Sequence, residues 1–237
     1  MHDSHGFNWL SKLAELTQQP IHVVTTVVVI ALLMITTIIA RAQLISYQQN
    51  KNEGLVPEKK LTFRNFFEIV AESLFGLCES VMSRHEAEHY FPVIGGLFVF
   101  IFSCNLLGLI PGFLPPTDNL NTTLALGLFV FLYYNYTGLK ANGLSYLKHF
   151  LGPVLWLAPL MLVIELASHI FRPISLALRL RGNIMGDHVV LGIFSQLVPL
   201  VLPVVFYGLG LFVAFVQAFV FCLMTMVYIS LSTAHDH

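Results

Sequence analysis

The chain has 237 residues, is 56% hydrophobic and 11% charged, and carries a formal net charge of −1. That balance excludes an ordinary soluble domain and leaves no electrostatic case for nucleic-acid binding. With a mean hydropathy of +0.76, it predicts an all-α polytopic membrane protein with about five membrane helices and one amphipathic helix.

Residues 1–20 lack the basic start of a signal peptide and are expected to be a tail outside the membrane. Ile21 to Ala40 is the first membrane helix, since ~20 residues at ~1.5 Å each match a ~30 Å hydrocarbon core. Residues 41–90 hold the most polar stretch, with Arg41, Lys51, Lys59, Lys60 and Arg64. The positive-inside rule puts that loop in the cytoplasm and the N-terminus outside. Within it, Phe63 to Val81 carries Glu68, Glu72 and Glu79 at helical spacing and reads as the amphipathic helix. Residues 91–140 form an outward hairpin. Phe91 to Leu114 leads into the turn-rich run Pro111 to Asn119, and Asn121 to Thr137 returns toward Lys140 and Lys148.

Residues 141–237 are almost continuously apolar after Pro153 and admit two partitions. One has a polar loop from Arg172 to Asp187 between separate spans. The other has two long helices, Val154 to Leu197 and Val204 to Leu231, joined around Pro199. Helical from Val154 to Leu191, the first would run ~57 Å and would have to tilt strongly.

Glu165, Ser168, His169, Arg172, Ser175, Arg179, Asn183 and Asp187 follow one another mostly at steps of three or four and make one drifting stripe on a helix. Loop residues need no such period. Arg181 faces roughly away from Arg179, so the two cannot share a role. Gly182 and Gly186 have a small-xxx-small spacing that allows close approach of another helix. Pro173 should bend the helix, and Gln217 is the polar partner expected from the returning segment. An arginine at bilayer depth costs ~2.5 to 3.5 kcal/mol on insertion scales, a cost that marks an ion path or a counter-ion.

Three other readings compete. His85-Glu86-Ala87-Glu88-His89 satisfies the zinc-protease pattern H-E-x-x-H, but Pro92 follows closely and no third ligand is evident, so a solvated interfacial loop is expected there. An independent channel or transporter would normally show related halves, and no internal repeat is visible. Cys78, Cys104 and Cys222 read as small apolar fillers. His22 and His149 read as interfacial, as do Trp156 and the Tyr133-Tyr134 pair. No cofactor or metal site is expected.

The stretch Pro173 to Asn183, "PISLALRLRGN", resembles the signature of the a subunit of the F-type ATP synthase. The likeness continues through Asn105 to Gly112, Asn121 to Leu126, and Gln217 to Tyr228. It implies the second partition, with the last two helices forming a long tilted hairpin against a ring of c subunits. It also implies a b-subunit peripheral stalk, the rest of the synthase complex, and a bacterial inner membrane with the C-terminus in the cytoplasm. The subunit would be non-catalytic and would couple proton flow to rotation and ATP synthesis. Arg179 matches the essential gate. Asn183, Asp187, His188 and Gln217 match or neighbour positions of the outer half-channel. Glu165, with Ser168 and His169, matches the inner one. Arg181 stands where Phe is common and is expected to snorkel toward lipid. Gly210 stands where many members carry His or an acid, which Asp187, in place of Gly, is expected to replace. Asn119 stands where Asp is frequent.

Overall fold

The structure, a computed structural model, describes residues 9–49, 63–110, 112–143, 146, 158–197 and 201–233. Lys51, Lys59, Lys60, Lys148, His149, Trp156 and the turn at Pro199 lie outside the described residues. Among those described, seven α-helices run in chain order. They are α1 (Ser11–Thr17), α2 (Ile21–Gln49), α3 (Phe63–Val81), α4 (Arg84–Gly108), α5 (Leu120–Asn142), α6 (Ala158–Leu197) and α7 (Val201–Thr233). A 3₁₀ turn, Pro116–Asp118, sits between α4 and α5.

Four of these helices are long and apolar enough to cross a membrane, over Ile21–Ile39, Arg84–Gly108, Pro159–Phe194 and Pro203–Thr233. The fifth expected span, α5, is helical but less apolar, because Tyr133, Tyr134, Asn135 and Tyr136 fall in it. A short helix, α1, interrupts the expected tail. α2 runs past Ala40 because nothing from Arg41 to Gln49 breaks a helix.

α3 has the expected bounds and amphipathicity: Leu74 and Cys78 are buried while Glu68, Glu72 and Glu79 are exposed. α4 begins earlier than expected. Ser83 accepts from the Glu86 amide, and the Glu86 carboxylate reaches back to the Ser83 amide, a reciprocal cap that starts a helix where a loop was expected. Asn119 caps α5 by accepting from the Asn121 amide at 2.9 Å, and Gly143, with φ 54°, ends it.

α6 is continuous through Pro173, so the loop from Arg172 to Asp187 does not form. At ~1.5 Å per residue it spans ~60 Å. The core is shared by five helices: Leu74 and Cys78 of α3, Ile94, Phe98 and Ile101 of α4, Val130 and Tyr134 of α5, Leu176, Leu180 and Ile184 of α6, and Phe221, Met226 and Ile229 of α7. α5 and α6 meet backbone to backbone, for a Cβ on Gly127 would come 2.6 Å from the Pro173 carbonyl oxygen. α2 lies at the margin, exposing Val27, Ile30, Ile35 and Ile38, as expected of a helix facing hydrocarbon.

Candidate functional site

The polar stripe of α6 straddles the edge between its buried and exposed faces. Counting ~100° per residue, Ser168, Ser175, Arg179, Gly182 and Gly186 fall together, and all five are exposed. His169 turns inward and is buried, and Asp187 is half-buried.

Arg179 makes no hydrogen bond or ion pair with any described residue. Arg181, on the opposite side of the helix, is half-buried, and its Nε donates to the Asp118 carbonyl at 3.2 Å. The expected snorkelling is therefore corrected: the side chain is turned onto the 3₁₀ turn, which offers an acceptor that hydrocarbon lacks. A Cβ placed on Gly182 or Gly186 would meet no described atom of the chain within 4 Å. The expected close approach at that pair is not made by a described helix of this chain. Gly127 and Gly138 provide it, against Pro173 and Ser232.

Toward the C-terminal end of α6, Asn183, Asp187, His188 and Gln217 converge on one cavity of about 30 Å³, with Asn105 and Gly210 in the same wall. That is room for about two water molecules. The Asn183 amide donates to Gln217 Oε1. Gln217 is only 3% exposed, and its Nε2 has no partner among the described residues. Gly210 and Asp187 line the same cavity, and a Cβ on Gly210 would meet Leu109 at 2.7 Å. Asn105, 5% exposed, accepts from Thr117 Oγ1 at 3.1 Å and donates to the Ala214 carbonyl at 3.4 Å.

Toward the N-terminal end of α6, the polar groups are packed. Glu165 pairs with Arg172 at 3.6 Å, and the Arg172 guanidinium lies 5.2 Å from the Tyr228 ring centroid. His169 Nε2 lies 3.0 Å from Asn135 Oδ1, to which the Tyr146 hydroxyl donates, also at 3.0 Å. Asn135 Nδ2 donates to the Phe131 carbonyl at 2.7 Å, which fixes Oδ1 as the acceptor, so His169 carries its hydrogen on Nε2. Phe131 and Tyr134 rings enclose the imidazole at 5.6 and 5.4 Å. Burial pushes the Tyr146 phenol above the ordinary tyrosine range, against the opposing pull of Arg172, and keeps it a donor. Ser168 does not join this group; it is on the Arg179 face.

Sequence reasoning passes over Asn105, Asn135, Tyr146 and Thr117. Asn135 left a signal, an amide in an otherwise apolar and aromatic helix; Tyr146 left none. In the H-E-x-x-H stretch, Glu86 is engaged by its cap and by Thr233 Oγ1, which donates to Oε1 at 2.9 Å, while His85 and His89 are exposed. Among the described residues no three His, Cys, Asp or Glu side chains gather to hold a metal ion. Cys78, Cys104 and Cys222 are buried and unbridged, and burial pushes the Cys78 thiol up to about 11. His22 Nδ1 lies 3.2 Å from Asn119 Nδ2, joining α2 to the cap of α5.

Comparison with known proteins places this geometry in context. The family model described as ATP synthase A chain matches residues 23–230. The chain is 47% identical over 234 residues to the ATP synthase subunit a of Bdellovibrio bacteriovorus, covering 98% of this chain and all of that one. It is 44% identical over 207 residues to the subunit a of Sorangium cellulosum, covering 87% and 81% of the two chains. It is 51% identical over 174 residues to ATP synthase subunit a 1 of Syntrophotalea carbinolica, covering 73% and 74%.

Proposed function

The chain belongs to the ATP synthase A chain family of bacterial F-type membrane-sector subunits, and from that premise we propose that it is the stator half of a rotary proton motor. It conducts protons to and from the carboxylates of a c-subunit ring through two offset half-channels, and so couples proton flow to rotation. ATP chemistry belongs to other subunits. A b-subunit stalk holds the chain against the torque, with the N-terminus outside and the C-terminus in the cytoplasm.

The observation that carries this reading is Arg179, an exposed cation with no described partner in its own chain, standing between two polar groups on one helix. Arginine holds its charge through the physiological range and does not relay protons. Without a counter-charge its place in a membrane helix is costly, and no described residue supplies one, so in this reading its partner is on a neighbouring subunit. A carboxylate carried past by a neighbouring helix fits, and Ser175, Gly182 and Gly186 leave the same face open for such a helix.

Along α6, Asp187 lies ~12 Å from Arg179 in one direction and Glu165 ~21 Å in the other. In this reading the cavity at Asp187, His188, Asn183 and Gln217 is the outer path. Glu165, with Ser168 and His169, marks the inner path. Arg179 bars direct flow between them. A rotor carboxylate is ionised beside Arg179 and leaves toward lipid only when protonated.

The test is ATP-driven acidification of inverted membrane vesicles carrying the assembled complex. Arg179→Ala should abolish acidification while the subunit stays in the membrane in normal amount. Coupled pumping by Arg179→Ala would overturn the gate.

A further inference from the structure

We infer that Arg181 is a positioning residue: its hydrogen bond to the Asp118 carbonyl holds α6 in the rotation that keeps Arg179 open to the exposed face. The inference rests on the gate role proposed for Arg179.

The geometry is that of a helix pinned at two points on one side. Pro173 is pressed against Gly127 of α5, where even a methyl group would collide with the Pro173 carbonyl. Eight residues, ~12 Å, further along, Arg181 Nε donates to Asp118. At ~100° per residue, Pro173 lies ~120° and Arg181 ~160° from Arg179, on opposite sides of that residue's antipode. Arg179 falls between the two pins along the axis and opposite both around it. Rotation that buried Arg179 would have to break the bond at Arg181 or drive Pro173 off Gly127.

The acceptor is itself held. The 3₁₀ turn is closed by amides of Asp118 and Asn119 donating to Pro115 and Pro116. The Asp118 carbonyl is at its C-terminal end, where helical carbonyls need donors from elsewhere. Thr117, fully buried, donates to Asn105, and Asn105 donates to Ala214 of α7. Arg181, Thr117 and Asn105 thus link α6, the 3₁₀ turn, α4 and α7 by three polar contacts. The last of these reaches the turn of α7 that carries Gln217.

A charge is not what this geometry uses. The donor is Nε, and the Nε2 amide of glutamine occupies the same place along the side chain. Lysine keeps the charge but puts a methylene there. Glutamine should therefore replace Arg181, and lysine should not.

The experiment uses the complete complex in inverted vesicles and reads acidification per ATP hydrolysed in Arg181→Gln, Arg181→Lys and Arg181→Leu, with subunit amount in the membrane as the measure of assembly. Arg181→Gln should stay within about twofold of the unmodified complex, while Arg181→Lys and Arg181→Leu fall by about fivefold or more, the scale of one lost hydrogen bond. Failure of glutamine to rescue, or normal pumping by either of the other two, overturns the inference. If Arg181→Leu does not assemble, the contrast of glutamine with lysine decides it alone. Arg179→Ala is measured alongside. If it too pumps normally, the gate reading has failed; if it is inactive, the outcome bears on Arg181 alone.

Discussion

The two ends of α6 carry similar residues in different surroundings. At one end Asn183, Asp187, His188 and Gln217 stand around about 30 Å³ of space, with a buried amide nitrogen facing no described partner. At the other, Glu165, Arg172, His169, Asn135 and Tyr146 fill their volume with one another. The difference teaches that polarity inside a membrane helix does not by itself make a path. The two proposed paths are therefore not built alike: among the described residues, an unpartnered buried amide stands beside open volume at the Asp187 end, whereas at the Glu165 end the unpartnered Tyr134 hydroxyl lies among packed rings.

The largest effect that would sharpen the contrast is at the packed end. Asn135→Leu removes the acceptor of both His169 Nε2 and the Tyr146 hydroxyl, in a site closed by Phe131 and Tyr134. The Tyr146 hydroxyl and His169 Nε2, 3.4 Å apart, keep each other, so the loss is that of one shared buried acceptor, and thermal unfolding of the purified complex should show this subunit weakened by about 1 to 3 kcal/mol. Pumping per assembled complex should fall by less than about threefold. A tenfold loss of pumping at unchanged stability would break the comparison, by showing that Asn135 is itself part of the inner path and not only packing around Glu165 and His169.

Gln217→Leu is the converse. It removes one buried donor that has no described partner along with the acceptor for Asn183, so its stability cost should be below about 1 kcal/mol. Pumping should fall by about tenfold, because the cavity then loses an amide that orients water across α6 and α7. A large drop in thermal stability with normal pumping per complex would make Gln217 a packing residue.

How much of this the sequence disclosed depends on distance along the chain. α3 was legible to the residue because its acidic positions repeat on one face, and the stripe on α6 was legible because its steps are helical. The start of α4 was not, although Ser83 and Glu86 are three apart: the surrounding charges and Pro92 pointed to a loop, and the reciprocal cap outweighs both. Arg181 was misjudged because periodicity says which side a residue takes, not what waits there. Its acceptor is 63 positions away. Gly182 and Gly186 show the same limit, since spacing announces room for a helix but not which chain supplies it. Asn135 and Tyr146 belong to the polar cluster through folding alone. The family resemblance points to the end of α4, the start of α5 and the last two helices, and gives no reason to look at Asn135.

The smallest effect separates two roles of one ring. Tyr228 lies under the Arg172 guanidinium at 5.2 Å and beside Tyr134, with ring centroids 5.7 Å apart. A cation held over a ring is attracted by the π face, which phenylalanine retains, and is worth ~0.5 to 1 kcal/mol where solvent has partial access. Tyr228→Phe should therefore leave both stability and pumping unchanged within error. Tyr228→Leu should lose ~1 kcal/mol in thermal unfolding and free Arg172 to shift relative to Glu165. If Tyr228→Phe instead lowers pumping as much as Tyr228→Leu, the hydroxyl is the working group. The packed end would then hold a working hydroxyl without the open volume that marks the Asp187 end.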